Sequence, residues 1–438
     1  MGRTRFLQSL LLICFAVTFA KAEDWPRFRG PEGNGIATDS GDLPSIWSAD
    51  ENLAWKVPLL GPGASSPVIY RGRVYVTCYS GYGVSRERKG SLEDLLRHLL
   101  CFDLESGEQL WRKDIPASLP EDSYYDTGVS SHGYASHTPC VDESGIYCFF
   151  GKGGVFAFDF EGNEVWRAES GKGSDPPKWG SSSSPILAGE VLVVTAAAES
   201  KSVIGYDKAT GAKLWEVESS ELNGMWGTPS MVSVDEHRQD LVMLIPEQLW
   251  GIDPRTGDRL WKATATSSKQ AYTSIIQEGA RVFGFSGQGG GSIALDVGGS
   301  GDVGEERTAW TSPINATYAS PVKHGSKLYV VSRGVLVVLD AETGERLQQV
   351  RLKGARITGN KRFGALDYAS PVVVGDRLYF LNASGQAFVY RLKDEATLIA
   401  VNELTHEKEF FFGSPAVSDG RMVIRSSKHL YCVAAERR

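Results

Sequence analysis

Side chains suited to ligation and proton transfer gather in one stretch, PEDSYYDTGVSSHGYASHTP at residues 120–139, which holds Asp122, Asp126, His132 and His137 beside three tyrosines. Carboxylates and imidazoles are ligands that divalent cations select. The intervals between Asp122, Asp126 and His132 match no metal-binding pattern, so no metal is assigned. A second kind of chemistry, ring stacking beside hydroxyl groups, is offered by a recurring triplet. It reads Tyr134-Ala-Ser, Trp179-Gly-Ser, Trp226-Gly-Thr, Tyr272-Thr-Ser, Tyr318-Ala-Ser, Tyr368-Ala-Ser and Phe412-Gly-Ser. Flat apolar faces next to hydrogen-bonding groups suit a sugar, a quinone ring or a peptide strand. The same residues also serve to pack a corner and cap a strand. His132, Tyr134, His137, Trp179, Trp226, Tyr272, Tyr318, Tyr368 and Phe412 are therefore the candidate ligand-binding residues, and no catalytic residue is assigned. The glycines of GFSGQGGG (284–291) resemble a phosphate loop but precede a strand pattern rather than a helix, which excludes that reading. Neither a GxSxG nucleophile elbow nor an HExxH motif is present.

The elements that must position these triplets are repeats. Each triplet leads into a strand start, and eight such starts recur, at Pro67, Pro139, Pro185, Pro229, Ser274, Pro321, Pro371 and Pro415. After the first interval they lie about 44 to 50 residues apart, the length of one four-stranded propeller blade. Each unit continues with a Gly-containing turn and an apolar run (RVYVT, KLYVV, RLYFL), then a third strand ending in Asp. A turn such as DKATGAKLW or DPRTGDRLW follows. There the Asp accepts backbone N–H bonds and the Gly supplies the positive φ. These features predict an all-β, eight-bladed propeller of four-stranded antiparallel blades, with the triplets as corners around one channel mouth.

Four residues past each turn glycine stands a tryptophan, Trp111, Trp166, Trp215 or Trp261, and Trp310 follows a longer loop. One position repeated in every blade reads as a wedge between blades. Gln348 replaces it in blade six and blade seven lacks it, so looser joints are expected there. Cys101 and Cys432 occupy the slot held elsewhere by Ala157, Gly205, Gly251 and Ala294, which demands a small side chain. Beyond Pro415 only three strands fit. The missing one is expected from NLAWKVPL (52–59), which carries Trp55 and joins the two ends of the ring.

Residues 1–22 read as a signal peptide, with Arg3 and Arg5, an apolar run from Phe6 to Phe19, and Ala20-Lys21-Ala22 for cleavage. Ile13 is too bulky before Cys14 for a lipid-attachment site. A leader at 23–50 and the propeller at 51–438 follow, with insertions at 79–100 and 116–137. Leu92, Leu95, Leu96 and Leu99 in the first insertion have the spacing of a short amphipathic helix. The chain is thus expected to work outside the cytoplasm, periplasmic or secreted, as a monomer with no transmembrane segment. A net charge of −7 without a basic stripe speaks against nucleic acid. Five cysteines past the signal cannot all pair, and Cys140 with Cys148 fits either a cross-strand disulfide or two buried thiols.

The Asp-x-x-Thr-Gly-x-x-Leu-Trp turns and Ser-Pro strand starts resemble the pyrroloquinoline-quinone-type β-propeller repeat over residues 51–434, and DWPRFRGPEGNGIA (24–37) resembles the opening of secreted members. The resemblance implies one of two branches. Quinoprotein dehydrogenases hold pyrroloquinoline quinone and calcium over the axis and oxidise alcohols or sugars. Non-enzymatic propellers include the lipoprotein scaffold of the outer-membrane β-barrel assembly machinery. The chain lacks the adjacent Cys-Cys pair, the haem-attachment motif and the large insertions of many dehydrogenases. For a quinone, Lys178 near its carbonyls and Asp367 on calcium are the residues this sequence offers. The reading is therefore a non-catalytic binding or scaffold propeller for an envelope protein, peptide or glycan, expected to carry no cofactor. A quinone-dependent oxidoreductase is the alternative, and polysaccharide hydrolysis by mouth carboxylates a third.

Overall fold

The computed structural model describes residues 23–38, 42–84, 89–124, 133–356, 359–360, 364–365 and 367–436. Eight antiparallel sheets follow one another along the chain, each running from an innermost strand outward. Blade one comprises Val68–Tyr70, Arg73–Ser80, Leu96–Asp103 and Gln109–Pro116. The innermost strands of the next six are Cys140–Val141, Ile186–Ala188, Ser230–Ser233, Ile276–Glu278, Val322–His324 and Val372–Val374. Blade eight has Ala416–Ser418, Arg421–Arg425 and His429–Ala434, and its outer strand is Leu53–Pro58 from the other end of the chain. Trp55 pairs with Cys432 and Val57 with Leu430, so the ring closes as the repeats require. No helix among the described residues is long and apolar enough to cross a membrane.

The tryptophans act between blades, as their periodicity indicates. Each outer strand carries a bulge one residue before the tryptophan position. Trp55, Trp111, Trp166, Trp215 and Trp310 then donate their indole N–H to a carbonyl in the turn of the following blade, at 2.9–3.0 Å. The turn glycine of that blade lies on the indole. A Cβ on Gly107, Gly162, Gly211, Gly257 or Gly344 would fall 2.5–2.9 Å from the ring, and all five have φ between 73° and 80°. Glycine is required twice over, by the turn and by the neighbour. The small slot is the cross-strand partner of the same indole: Cys101 opposite Trp111, Ala157 opposite Trp166, Gly205 opposite Trp215.

Two expectations change, and one open alternative is decided. The leucines at 92–99 form no helix: Leu92–Asp94 is a single 3-10 turn and Leu96–Asp103 is the third strand of blade one. It pairs with Arg73–Ser80 along its whole length and is buried on both faces, so its leucines show no alternation and imitate helical spacing. The first insertion thereby shrinks to residues 81–95. Cys140 pairs with Tyr147, which puts Cys148 on the opposite face of the sheet, and both thiols are free and buried. The joints without tryptophan are also filled. Gln348 exchanges two hydrogen bonds with the backbone of Ala396 in blade seven, at 3.2 and 2.9 Å. Leader residues Leu43 and Trp47 are buried in one apolar cluster with Tyr379 of blade seven and Met422 of blade eight.

Removing a wedge should be costly. Trp166→Ala is expected to lower the unfolding free energy by about 3–5 kcal/mol in urea. Gln348→Ala, which removes two hydrogen bonds and little apolar area, should cost roughly 1–3 kcal/mol.

Candidate functional site

The corners between blades build the mouth from two concentric features. The inner one is polar. The Ser66 N–H donates to Thr138 Oγ1, the Thr138 N–H to Ser184 Oγ, and so on through Thr228, Ser274, Ser320, Ser370 and Ser414, whose N–H returns to Ser66 Oγ. All eight bonds measure 2.9–3.0 Å, all eight residues are buried, and the circle is complete. The hydroxyl before each strand start therefore ties one blade to the next.

The second feature is aromatic. Trp179, Trp226, Tyr272, Tyr318, Tyr368 and Phe412 follow one another from blade three to blade eight with ring centroids 5.8, 5.0, 5.0, 4.8 and 5.2 Å apart. The first five are partly exposed and Phe412 is buried. Trp226 and Tyr272 stack at 18°, while the tyrosines that follow meet edge to face. The rings support each other as well as lining the opening. Burial raises the phenol pKa of Tyr272 and Tyr368, and the adjacent Tyr318 raises both further.

Over blades one to three the arc gives way to a buried polar patch. Tyr134 sits apart from the other corner rings, under Tyr79 and Tyr124 at 5.3 and 4.8 Å, with the Arg97 guanidinium 5.4 Å from its centroid. Arg97 makes a two-pronged pair with Glu121 at 2.8 and 2.9 Å, both side chains being almost fully buried. Lys152 holds Asp122 at 2.8 Å. These two pairs fasten the second insertion onto blades one and two. Tyr124 covers Gly180, where a Cβ would lie 2.4 Å from the phenol oxygen. His137 Nε2 lies 3.1 Å from Ser181 Oγ, which donates to Glu199 Oε1 at 2.7 Å. His132 and Asp126 lie outside the described residues. Spacing gave no sign of Arg97, Lys152, Ser181 or Glu199, since their partners lie 18 or more positions away along the chain.

The leader fills the channel from the other end. Trp25 pairs with Ile69 of blade one through both backbone bonds, Val141 of blade two donates to Pro26, and Ile36–Ala37 lies parallel to Val373–Val374 of blade seven. Arg29 donates to the carbonyls of Pro321 in blade six and Asn34. The Glu23 carboxylate receives both the N–H and the hydroxyl of Thr38, so residues 23–38 form a closed loop whose tip reaches the level of the corner prolines. Trp25 and Arg29 are fully buried, and burial pulls the Arg29 guanidinium down to about 9. The mouth is thus a cup with a floor.

A quinone over the axis, clamped by calcium, needs converging carboxylates and a cation at the mouth. Among the described residues no three His, Cys, Asp or Glu side chains form a group able to hold a metal. Lys178 is exposed on the corner of blade three, and Asp367 is half-buried on that of blade seven, four blades away across the ring. Asp367 accepts the Ala383 N–H, and burial raises its pKa. These residues do not fit the cofactor.

The family model described as outer membrane protein assembly factor BamB matches residues 97–350 and 317–437. Among solved structures the chain is similar to BamB from Moraxella catarrhalis, at 14% identity over 88% of this chain and 98% of that one, with a TM-score of 0.61. It is similar to europium-containing methanol dehydrogenase at 11% identity over 94% and 98%, TM-score 0.61. Quinohemoprotein alcohol dehydrogenase from Comamonas testosteroni aligns at 12% identity over 95% and 81%, TM-score 0.51. No curated protein matches the chain. Identities this low establish the fold, which hosts unrelated functions.

Glu199 yields a pH signature. Burial pushes its carboxyl up to about 7, the Ser181 hydrogen bond opposing, and its Oε2 is buried without a hydrogen-bond partner. A folded pKa above the unfolded 4.5 means that this contribution to stability is full below about pH 4.5 and lost as pH rises through 7. The loss amounts to about 3 kcal/mol at most. Glu199→Gln keeps the acceptor for Ser181 and should flatten the fall in urea stability between pH 5 and pH 8; an unchanged fall would show that Glu199 is ionised in the fold.

Proposed function

We propose, for a chain that belongs to the family of outer membrane protein assembly factor BamB, a non-catalytic binding or scaffold role outside the cytoplasm, in which the aromatic mouth seats an extended segment of an envelope protein. The observation that carries this reading is the arc of partly exposed rings on a closed and floored ring of blades. Rigid aromatic side chains offer large contact area at little entropic cost, as they do in many protein interfaces. The corner triplets themselves carry hydroxyl and small apolar side chains, with Lys178 and Asp367 the charged residues next to Trp179 and Tyr368, which favours apolar and hydroxyl-rich partners. Ligand contact is assigned to Trp179, Trp226, Tyr272, Tyr318 and Tyr368, with Phe412 supporting them. Tyr134 and His137, being buried, hold the mouth in shape. Export by a cleaved signal in residues 1–22 belongs to the same proposal. The solved dehydrogenases of the same fold keep one rival in view, a quinone-dependent oxidation.

Trp226→Ala combined with Tyr272→Ala should reduce recovery of an envelope partner by crosslinking and pull-down at least tenfold. The cost of losing two anchoring rings, about 1.4 kcal/mol or more, corresponds to that factor. Equal recovery by the double variant would remove the mouth from the binding surface. Tight binding of pyrroloquinoline quinone with calcium, accompanied by dye-linked alcohol oxidation, would replace this reading by the rival.

A further inference from the structure

At the mouth end of blade one, on its face turned toward blade eight, three polar side chains on adjacent strands stand in line. Ser80 Oγ lies 2.8 Å from His98 Nε2, and His98 Nδ1 lies 2.7 Å from Asp114 Oδ1. Strand register produces the line: Cys78 pairs with His98 and His98 with Asp114, so Ser80 is the diagonal neighbour at the end of its strand. With Asp114 accepting from Nδ1, the Nε2 lone pair accepts from the serine hydroxyl. Hydroxyl, imidazole and carboxylate are thus in the order, and through the nitrogens, that activate a serine nucleophile. His98 is buried, Asp114 exposed and Ser80 half-buried at the strand's end. Gly81 follows with φ 83°, a sharp turn directly after the hydroxyl, and the amide after a nucleophile is the usual oxyanion donor. The backbone of Leu60 and Gly61 hydrogen-bonds Cys78 on the same face of the same strand, which brings the exposed Leu60 beside the serine.

We propose that Ser80, His98 and Asp114 form an acyl-transfer centre for small uncharged esters with short acyl groups, on the rim of the mouth and on the other face of blade one from the Tyr134 patch. Ser80 Oγ bonds to the acyl carbon as its proton passes to His98 Nε2. The carbon–oxygen bond to the alcohol breaks and the alcohol leaves with that proton. Water then adds by the same route, releasing the carboxylic acid and restoring the serine. Asp114 keeps the imidazole in the required tautomer and orientation. Leu60 and Cys78 on this face favour a short apolar acyl group, while Arg112 stands 3.5 Å from Asp114 Oδ2 at the outer edge.

The test uses the full chain after signal removal. A fluorophosphonate probe is expected to label Ser80, identified by peptide mass spectrometry, and p-nitrophenyl acetate to be hydrolysed. Ser80→Ala should abolish both, and His98→Gln should lower the rate on the order of a thousandfold. Intact labelling mass with no adduct at Ser80, or hydrolysis unchanged in Ser80→Ala, would show that the three groups only staple the strands together.

Discussion

The circle of eight hydroxyl-to-amide bonds is the constraint on which the molecule rests. Each blade presents one buried N–H at its strand start, where no ladder partner exists, and the next blade supplies the acceptor. A buried donor left alone costs more than a made bond contributes, so each position holds Ser or Thr. Because the last bond returns to the first blade, blade number and blade tilt are set together. The corner aromatics, two to five residues earlier, inherit their spacing from this circle. Their arc at the mouth is a by-product of closure before it is anything else.

The tryptophan contacts do at larger radius what the hydroxyls do at the centre. Both join neighbours through one side chain and one backbone group, and both recur at blade spacing. Where the wedge is missing, the structure substitutes local solutions: an amide exchange at Gln348 and two leader residues, Leu43 and Trp47, between blades seven and eight. Trp261 shows a further variation. Its indole donates to Asp240 of its own blade, and the strand Gly301–Asp302 lies beside it in place of the usual turn.

Features with a period were legible in the sequence, and features joining distant segments were not. Blade count, the strand closing the ring, the wedges and the small slots all announced themselves by recurrence. The strand starts were visible, yet the bond each hydroxyl accepts comes from a residue 44–50 positions away in six of the eight cases and further in the other two, and could not be read. The leader showed its likeness to secreted members but not its contacts, because its partners lie in at least five different blades. The leucines at 92–99 misled for a physical reason: a strand buried on both faces has no alternation, and its apolar run satisfies helical spacing by accident. At the mouth the corner rings were recognised, while Glu199 and Arg97 drew their surroundings from neighbouring blades.

The route by which the leader and first strand are bound bears on how the molecule assembles. Residues 25–37 need blades one, two, six and seven, and residues 53–58 need the final strand. These are the first described segments to be synthesised and the last to find their places. Such long sequence separations slow folding and leave strand borders uncovered meanwhile. An early blade can form alone, but neither its axis nor its outer wall is finished until the C-terminus arrives. Completion is therefore a single late event, and a chain cut short near residue 429 would remain an open, adhesive arc.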